Sequence, residues 1–203
     1  MSESNPQLLW DLSYQRLSDE ARSDSLYRKM ITERDKPFKK FLAREIGRSK
    51  PVLDVGANLF SFSYLSHKDV VAVNFSFYGL TNELKYPVNA DGLALSFKDG
   101  SFPVVLSKNT YGYISEPEQL IKEMIRVLKP KGKFILIDME GPIRQFNKEI
   151  PGLPPRLSDF YPENVAAVLP LIHITKKVLF EGNLRLPTAR VPMRVVAVTG
   201  LKY

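Results

Sequence analysis

The amino-acid sequence predicts an α/β fold built on a mostly parallel sheet. Two observations lead to this prediction. Short apolar runs alternate with helical patterns across residues 51–139, as parallel strands joined by right-handed helical crossovers require. Two further apolar runs then lie within residues 174–201 without a helical pattern between them, which is typical of an antiparallel pair at the edge of a sheet.

The elements before the last third of the chain follow from the spacing of apolar residues. Residues 18–46 are expected to be helical, with a break near Pro37 and an end at Gly47. The third of the strand patterns is the weakest. Five strands are expected, at residues 51–56, 70–74, 86–90, 103–107 and 133–139.

The clearest helical pattern covers residues 115–128. Ser115 is expected to cap this helix, with Glu118 completing a capping box and Pro117 in the first turn. Apolar residues recur at helical spacing after the cap and form one stripe that would face the sheet. Residues 129–132 are expected to end the helix.

The last third of the chain completes one predicted domain of residues 1–203. Prolines predict a loop at residues 151–155, which precedes a short helix at 161–169 and two antiparallel strands at 174–181 and 193–201. The domain is expected to have three parts, namely a helical cap (1–50), a ligand-binding core (51–142) and a C-terminal helix and strand pair (143–203).

The composition excludes several classes of site. The chain has 203 residues and no cysteine, so disulfides, thiolate ligands and cysteine nucleophiles are excluded. Because the whole chain has only two histidines, no metal site is predicted. No apolar run approaches the roughly 20 residues of a membrane helix, and the polar, acidic N-terminus differs from a secretory signal. We therefore expect a cytoplasmic protein without a membrane partner.

The formal net charge of +7 is unevenly distributed. Basic residues exceed acidic ones in residues 1–50 and 143–203, whereas residues 51–142 are close to neutral. Basic flanks of this kind favour RNA or another anionic partner. A lysine-rich solvated surface is the alternative interpretation, and both remain open.

The candidate ligand-binding residues are those that follow each predicted strand. Ligands of open α/β sheets bind beyond the carboxyl ends of the strands, where the strand order reverses. Among these residues, Gly56 would let the backbone turn tightly and approach a ligand. The candidates are Asp54, Gly56, Ala57, Asn58, Phe60, Asn74, Phe75, Ser76, Asp91, Ser107, Lys108, Asn109, Thr110 and Tyr111.

Three motifs in the central segment resemble those of one family. Val52-Leu-Asp-Val-Gly56 is similar to V-L-D-x-G-x-G-x-G, and Asp91-Gly-Leu-Ala-Leu-Ser-Phe97 is similar to D-A-x-x-L-P-F. Glu123-Met-Ile-Arg-Val-Leu-Lys-Pro-Lys-Gly132 is similar to E-x-x-R-V-L-K-P-G-G. In this order, the motifs resemble the type 11 group of class I S-adenosylmethionine (SAM)-dependent methyltransferases.

The resemblance implies a Rossmann-like sheet of seven strands, with residues 51–142 as a SAM-binding core. Asn74 would meet the ribose hydroxyls of SAM, Asp91 would accept a hydrogen bond from the adenine amino group, and Gly56 would border the methionine end. The cofactor residues that the resemblance implies are Asp54, Gly56, Asn58, Asn74, Phe75, Asp91, Gly92, Leu93, Ser107 and Asn109.

The SAM motif is eroded at several positions. Asn58 and Phe60 stand where the family has glycines, Asn74 stands where it has an acid, and Pro103 stands where it has an aspartate. Phe60 brings a ring to a place where the backbone normally approaches the cofactor closely. The direction of that ring would decide how much room the cofactor has.

The leading hypothesis is a SAM-dependent methyltransferase with an unidentified acceptor. No catalytic residue is predicted, and packing is the alternative role for each tyrosine on the acceptor side. The eroded motif and the basic flanks favour an alternative hypothesis, a non-catalytic methyltransferase-like module that binds RNA, a ribosomal particle or a protein. A nicotinamide-binding enzyme is a more distant hypothesis, because the first loop lacks G-x-G-x-x-G. The candidate acceptor-side residues are Tyr14, Tyr27, Lys108, Tyr111 and Tyr113.

Overall fold

A computed structural model describes residues 10–15, 25–58, 61, 65, 69–80, 86–141, 156–168, 172–185 and 190–203. The helices with defined bounds are α1 (Ser25–Ile46), α2 (Pro117–Val127) and α3 (Pro162–Val168), and residues 10–15 are also helical. Within the described ranges, no helix has both the length and the hydropathy needed to cross a bilayer. The strands are β1 (Val52–Val55), β2 (Val70–Asn74), β3 (Tyr86–Asn89), β4 (Phe102–Lys108), β5 (Leu128–Glu140), β6 (Ile172–Arg185) and β7 (Arg190–Lys202).

The seven strands form one sheet in the order β3-β2-β1-β4-β5-β7-β6. Neighbours among β1 to β5 are parallel, whereas β7 pairs antiparallel with both β5 and β6. The predicted fold class, a mostly parallel Rossmann-like sheet with an antiparallel C-terminal pair, is confirmed. Strand order reverses between β1 and β4, so the carboxyl ends of these strands form the crevice where such sheets bind ligands.

Each face of the sheet has its own apolar core. On one face, the fully buried Leu120 and Met124 of α2 and Val165 of α3 pack against β1, β4 and β5. On the other face, Phe38 and Leu42 of α1 pack in a second cluster. Burying one such side chain stabilises the fold by about 1.5–3 kcal/mol, so the helices on both faces are held chiefly by these contacts.

The start of α2 differs from the predicted capping box. Pro117 occupies the first turn, as predicted, but Glu116 is the N-cap residue and makes no side-chain capping bond. The fixed φ of proline suits the first helical position, and this places the cap one residue before it. Ser115 therefore lies too early to cap the helix, and the predicted box with Glu118 is wrong.

Two boundaries elsewhere also differ from the prediction. α1 continues through Pro37, because Asp35 and Phe38 on either side of it are buried and hold the helix across the missing N–H. β5 begins at Leu128 rather than at Lys133, since Leu128 pairs with Phe102 before the register shifts. Residues 129–132, which were expected only to end the helix, therefore form the irregular start of β5.

Arg126, in the third family motif, fastens α2 to the chain that precedes β4. Its guanidinium donates to the carboxylates of Glu123 and Asp99, each at 2.7 Å, and to the carbonyls of Leu95 and Phe97. The hydrogen bond from Arg126 lowers the pKa of Glu123. The carboxylate of Glu123 also accepts a hydrogen bond from the Leu95 amide at 2.8 Å. This network holds in place the turn that follows β3.

Candidate functional site

A cavity of about 370 Å³ lies at the carboxyl ends of the parallel strands, where the strand order reverses. Small-molecule sites have volumes of roughly 300–1,000 Å³, so the cavity is large enough for a ligand of cofactor size. It brings together segments that follow β1, β2, β3 and β4. Eight of the ten residues implied as cofactor ligands line it, as do two acceptor-side candidates: Gly56, Asn58, Asn74, Phe75, Asp91, Gly92, Leu93 and Asn109, with Tyr14 and Tyr113.

Gly56 ends β1 in a backbone conformation that favours glycine, with a φ of 80°. A β-carbon at this position would lie 2.0 Å from Thr110 Oγ1, so the loop after β1 packs directly on the loop after β4. The amides of Gly56 and Ala57 both donate to the Val73 carbonyl, at 2.8 and 2.9 Å. These contacts hold the first loop close to the end of the sheet.

The carboxamide of Asn74 is occupied by contacts within the protein. Its Oδ1 accepts the Ser76 amide at 2.8 Å, and its Nδ2 donates to the Ala57 carbonyl at 2.6 Å and to the phenol oxygen of Tyr14 at 3.3 Å. A carboxylate could accept a hydrogen bond here but could not donate one. Asn74 therefore ties the loop after β1 to residues 10–15.

Asp91 and Gly92 form a turn at the end of β3. Asp91 Oδ1 accepts the Leu93 amide at 2.9 Å, which makes an Asx turn. A β-carbon at Gly92 would lie 3.0 Å from Val55 and 3.1 Å from Leu120, so the turn rests closely on the core. The exposed carboxylate of Asp91 lines the cavity and can accept hydrogen bonds from a ligand N–H.

The turn Tyr111–Tyr113 is held from within by a buried ion pair. Arg156 and Asp138 lie 2.9 Å apart, with side chains 1% and 0% exposed. Asp138 also accepts the Gly112 amide at 3.2 Å, and the guanidinium of Arg156 lies 4.7 Å from the ring centroid of Tyr113. A β-carbon at Gly112 would come within 2.2 Å of Arg156. The ion pair thus sets the position of Tyr113 on the cavity wall.

Residues 10–15, hereafter the N-terminal segment, cover the cavity from one side. Trp10 stacks on Tyr14 with a centroid distance of 5.2 Å and meets the Tyr113 ring edge-on at 4.9 Å. Ser76 donates to the Asp11 carboxylate. The segment therefore contacts the loops after both β2 and β4, on either side of the cavity.

Two residues implied as cofactor ligands do not line the cavity. Asp54 is 1% exposed and faces the α1 side of the sheet, opposite to its neighbour Val55, and Ser107 is fully buried in β4. Asp54 Oδ2 and Ser107 Oγ have no hydrogen-bond partner within the described part of the chain. Neither side chain reaches the surface of the cavity.

Three acceptor-side candidates are not among the cavity-lining residues. Lys108 is buried on the α1 side, 3.8 Å from Asp35, and Tyr111 packs edge-on against Phe160 in the core. Tyr27 belongs to α1, but its side chain lies outside the described part of the structure. Phe60, whose direction matters for the first loop, also lies outside the described residues.

Asp54 is expected to make stability depend on pH. Burial raises the pKa of its carboxyl to about 6, against smaller lowering effects of Ser61 and Lys108. The folded protein therefore binds this proton more tightly than the unfolded chain, so its contribution to stability is greatest below pH 4 and is lost as pH rises to about 6.

We expect the Asp54→Asn variant to lack this dependence. Its free energy of unfolding in urea should rise relative to wild type by up to about 3 kcal/mol between pH 4 and pH 7, since each pKa unit corresponds to about 1.4 kcal/mol. A difference between the two proteins that stays constant over this range would contradict the assignment.

Comparison with known proteins shows what the fold and the central segment are similar to. The structure matches that of a SAM-dependent methyltransferase from Thermotoga maritima with a TM-score of 0.63, covering 94% of this chain and 99% of that one at 17% sequence identity. Residues 53–136, which include the first loop, the Asp91 turn and the Arg126 network, match the family model for a methyltransferase domain. The chain therefore has the fold of these methyltransferases, and its residues 53–136 match a methyltransferase domain.

Two named methyltransferases share short segments with this chain. A sterol 4-C-methyltransferase of Caenorhabditis elegans is 32% identical over 89 residues, and a demethylmenaquinone methyltransferase of Renibacterium salmoninarum is 34% identical over 79 residues. The alignments cover 43% and 36% of this chain but only 26% and 33% of the relatives. The chain thus spans a third or less of the length of these relatives. The acceptors in their names are the acceptors of those proteins.

The cavity also includes residues that the family motifs did not indicate. Trp10 and Leu157 lie far from the family motifs, and Ser115 and Leu120 were expected to serve only as cap and core. Trp10 precedes Tyr14 by four residues, which places both on one face of a helix. That spacing was the one pattern that could have pointed to Trp10.

Proposed function

We propose that this protein binds SAM in the cavity and transfers its methyl group to an acceptor. The observation that supports this most directly is the coincidence of the cavity with residues that the family motifs imply. Segments separated by more than 50 residues, from Gly56 to Asn109, line one space at the switch point of the sheet. The match of residues 53–136 to a methyltransferase domain makes SAM the expected methyl donor.

The residues present fit the parts of SAM. The carboxylate of Asp91 is suited to the adenine amino group, and the apolar side chains of Val55 and Val73 suit the adenine ring. The glycine backbone at Gly56 allows close approach at the methionine end. No charged side chain other than Asp91 lines the cavity among the described residues.

SAM supplies an already activated methyl group, so the protein needs chiefly to align donor and acceptor and to exclude water. Trp10, Tyr14 and Tyr113 form an aromatic cover that would keep water from the cavity. A general base is required only for an acceptor that must lose a proton.

The C-terminal strands carry several of the basic residues that motivate the alternative, an RNA-binding module. Lys176 and Arg194 both pair with Glu140, and Lys202 donates to two backbone carbonyls. These basic groups therefore have partners within the protein. Binding to cellular RNA across a salt series tests the alternative, because an electrostatic RNA interface weakens steeply with salt.

Calorimetry with SAM and S-adenosylhomocysteine (SAH) tests the proposed function. We expect both ligands to bind the full chain, and Asp91→Asn to weaken SAH about tenfold, because an uncharged amide oxygen replaces the carboxylate as the hydrogen-bond acceptor. Glu163→Gln in α3 neutralises an exposed carboxylate that does not line the cavity, and it should leave SAH affinity unchanged. Absence of binding to folded protein at millimolar ligand would overturn the proposal.

A further inference from the structure

We propose that the Tyr14 hydroxyl contacts the ribose of the bound cofactor and replaces the acidic side chain expected at position 74. The inference rests on the proposed function, because it assumes that the cavity holds SAM. It extends the cofactor site to the N-terminal segment, which lies outside the segment matched by the family model.

Asn74 is not available to act as the acid would. Its Oδ1 accepts the Ser76 amide, and its Nδ2 donates to the Ala57 carbonyl and to Tyr14. The 2.6 Å distance to the Ala57 carbonyl requires a donor at this position, which a carboxylate lacks. Asn74 therefore fits the protein contacts better than it fits a pair of ribose hydroxyls.

The backbone beside Asn74 leaves space for this arrangement. Gly79 ends the short turn Phe77–Gly79, and a β-carbon there would lie 2.6 Å from Asn74 Nδ2 and 3.1 Å from the Tyr14 ring. Any larger residue at position 79 would displace the amide or the ring. Asn74, Tyr14 and Gly79 thus form one mutually fitted group at the end of β2.

Tyr14 has a hydroxyl proton to offer a ligand. Asn74 Nδ2 donates to the phenol oxygen at 3.3 Å, and among the described residues no hydrogen bond donated by this hydroxyl is seen. The O–H can therefore donate to a ligand, and Tyr14 lines the cavity. Burial raises the pKa of Tyr14 to about 12, against smaller lowering effects of Asn74 and Asn58, so the phenol stays protonated at physiological pH.

The proposed contact is uncharged, unlike the bond that a carboxylate would make. A neutral hydrogen bond contributes about 0.5–1.5 kcal/mol, which corresponds to roughly a threefold to tenfold effect on affinity. We expect Tyr14→Phe to weaken SAH by that factor. The substitution keeps the ring, so the stacking with Trp10 is preserved.

The 2′-deoxy and 3′-deoxy analogues of SAH identify the ligand atom. If Tyr14 meets one ribose hydroxyl, wild type and Tyr14→Phe should bind the analogue that lacks it equally well. Equal weakening of SAH and of both analogues by Tyr14→Phe, or no weakening of SAH, would overturn the inference. Trp10 is the only tryptophan of the chain, so its emission reports whether the N-terminal segment stays docked in each variant.

Asn74→Asp restores the acid and separates the two assignments. We expect this variant to bind SAH more weakly, because a carboxylate oxygen would face the Ala57 carbonyl. Tighter binding would show that position 74 itself holds the ribose and would overturn the inference. Tyr78→Phe removes an exposed hydroxyl that does not line the cavity and should change nothing. Failure of wild type to bind SAM or SAH would overturn the proposed function and this inference together, whereas tighter binding by Asn74→Asp overturns the inference alone.

Discussion

Gly56→Ala is expected to destabilise the protein by about 2–5 kcal/mol and to abolish SAH binding. The left-handed backbone costs a non-glycine residue about 1–2 kcal/mol, and overpacking adds about 1–3 kcal/mol. The overpacking arises because the new β-carbon would lie 2.0 Å from Thr110 Oγ1. Urea unfolding measures the first effect, and calorimetry with SAH measures the second.

Gly47→Ala provides the control for backbone strain. Gly47 also has a positive φ, of 55°, but a β-carbon added there would meet no atom within 4 Å, so only the backbone cost of about 1–2 kcal/mol should appear. The double variant Gly56→Ala with Thr110→Gly should recover part of the loss, since the close contacts of Gly56 are all with the Thr110 side chain. Strictly additive effects of the two substitutions would contradict the steric explanation.

Arg156→Met is expected to cost about 3–5 kcal/mol, because it leaves the carboxylate of Asp138 buried without its counterion. The loss should also reach the cavity wall, since Arg156 packs on Tyr113 and Tyr113 on Trp10. Urea unfolding measures the stability, and a shift in Trp10 emission under native conditions measures the displacement of the wall.

Arg194→Met is the matched control for the ion pair. Arg194 lies 2.8 Å from Glu140, close to the distance within the buried pair, but its side chain is 43% exposed. Exposed pairs contribute about 0–1 kcal/mol, so this substitution should have little effect. Equal losses in the two variants would mean that burial does not determine the contribution of the Arg156 pair.

The central strands β1, β2 and β4 could be predicted because they are short and almost fully buried. The run at Val70–Asn74 coincides with β2, and the last two runs form the antiparallel pair as expected, although β6 and β7 extend further. Boundaries were less predictable where packing outweighs local preference. Pro37 does not interrupt α1, since neighbouring side chains are anchored in the core.

Sequence motifs also indicated most of the cavity, because residues that follow parallel strands necessarily meet at one edge of the sheet. They could not show which face of a strand each side chain occupies within the folded protein. Asp54 and Lys108 belong to the right strands but point toward α1, where Lys108 lies near Asp35. In β1, alternation along the strand turns Asp54 away and places its neighbour Val55 on the cavity side.

The sequence by itself determined the fold class and the end of the sheet at which the cavity lies, since apolar periodicity and motif order are local properties of the chain. Only the tertiary structure decided the role of Asn74. Its amide is occupied by Ala57, Ser76 and Tyr14, which are brought together from positions up to 60 residues away. The partners of the Asn74 amide are the groups that lie beside it after folding. Their distances in the folded protein cannot be read from the order of residues along the chain.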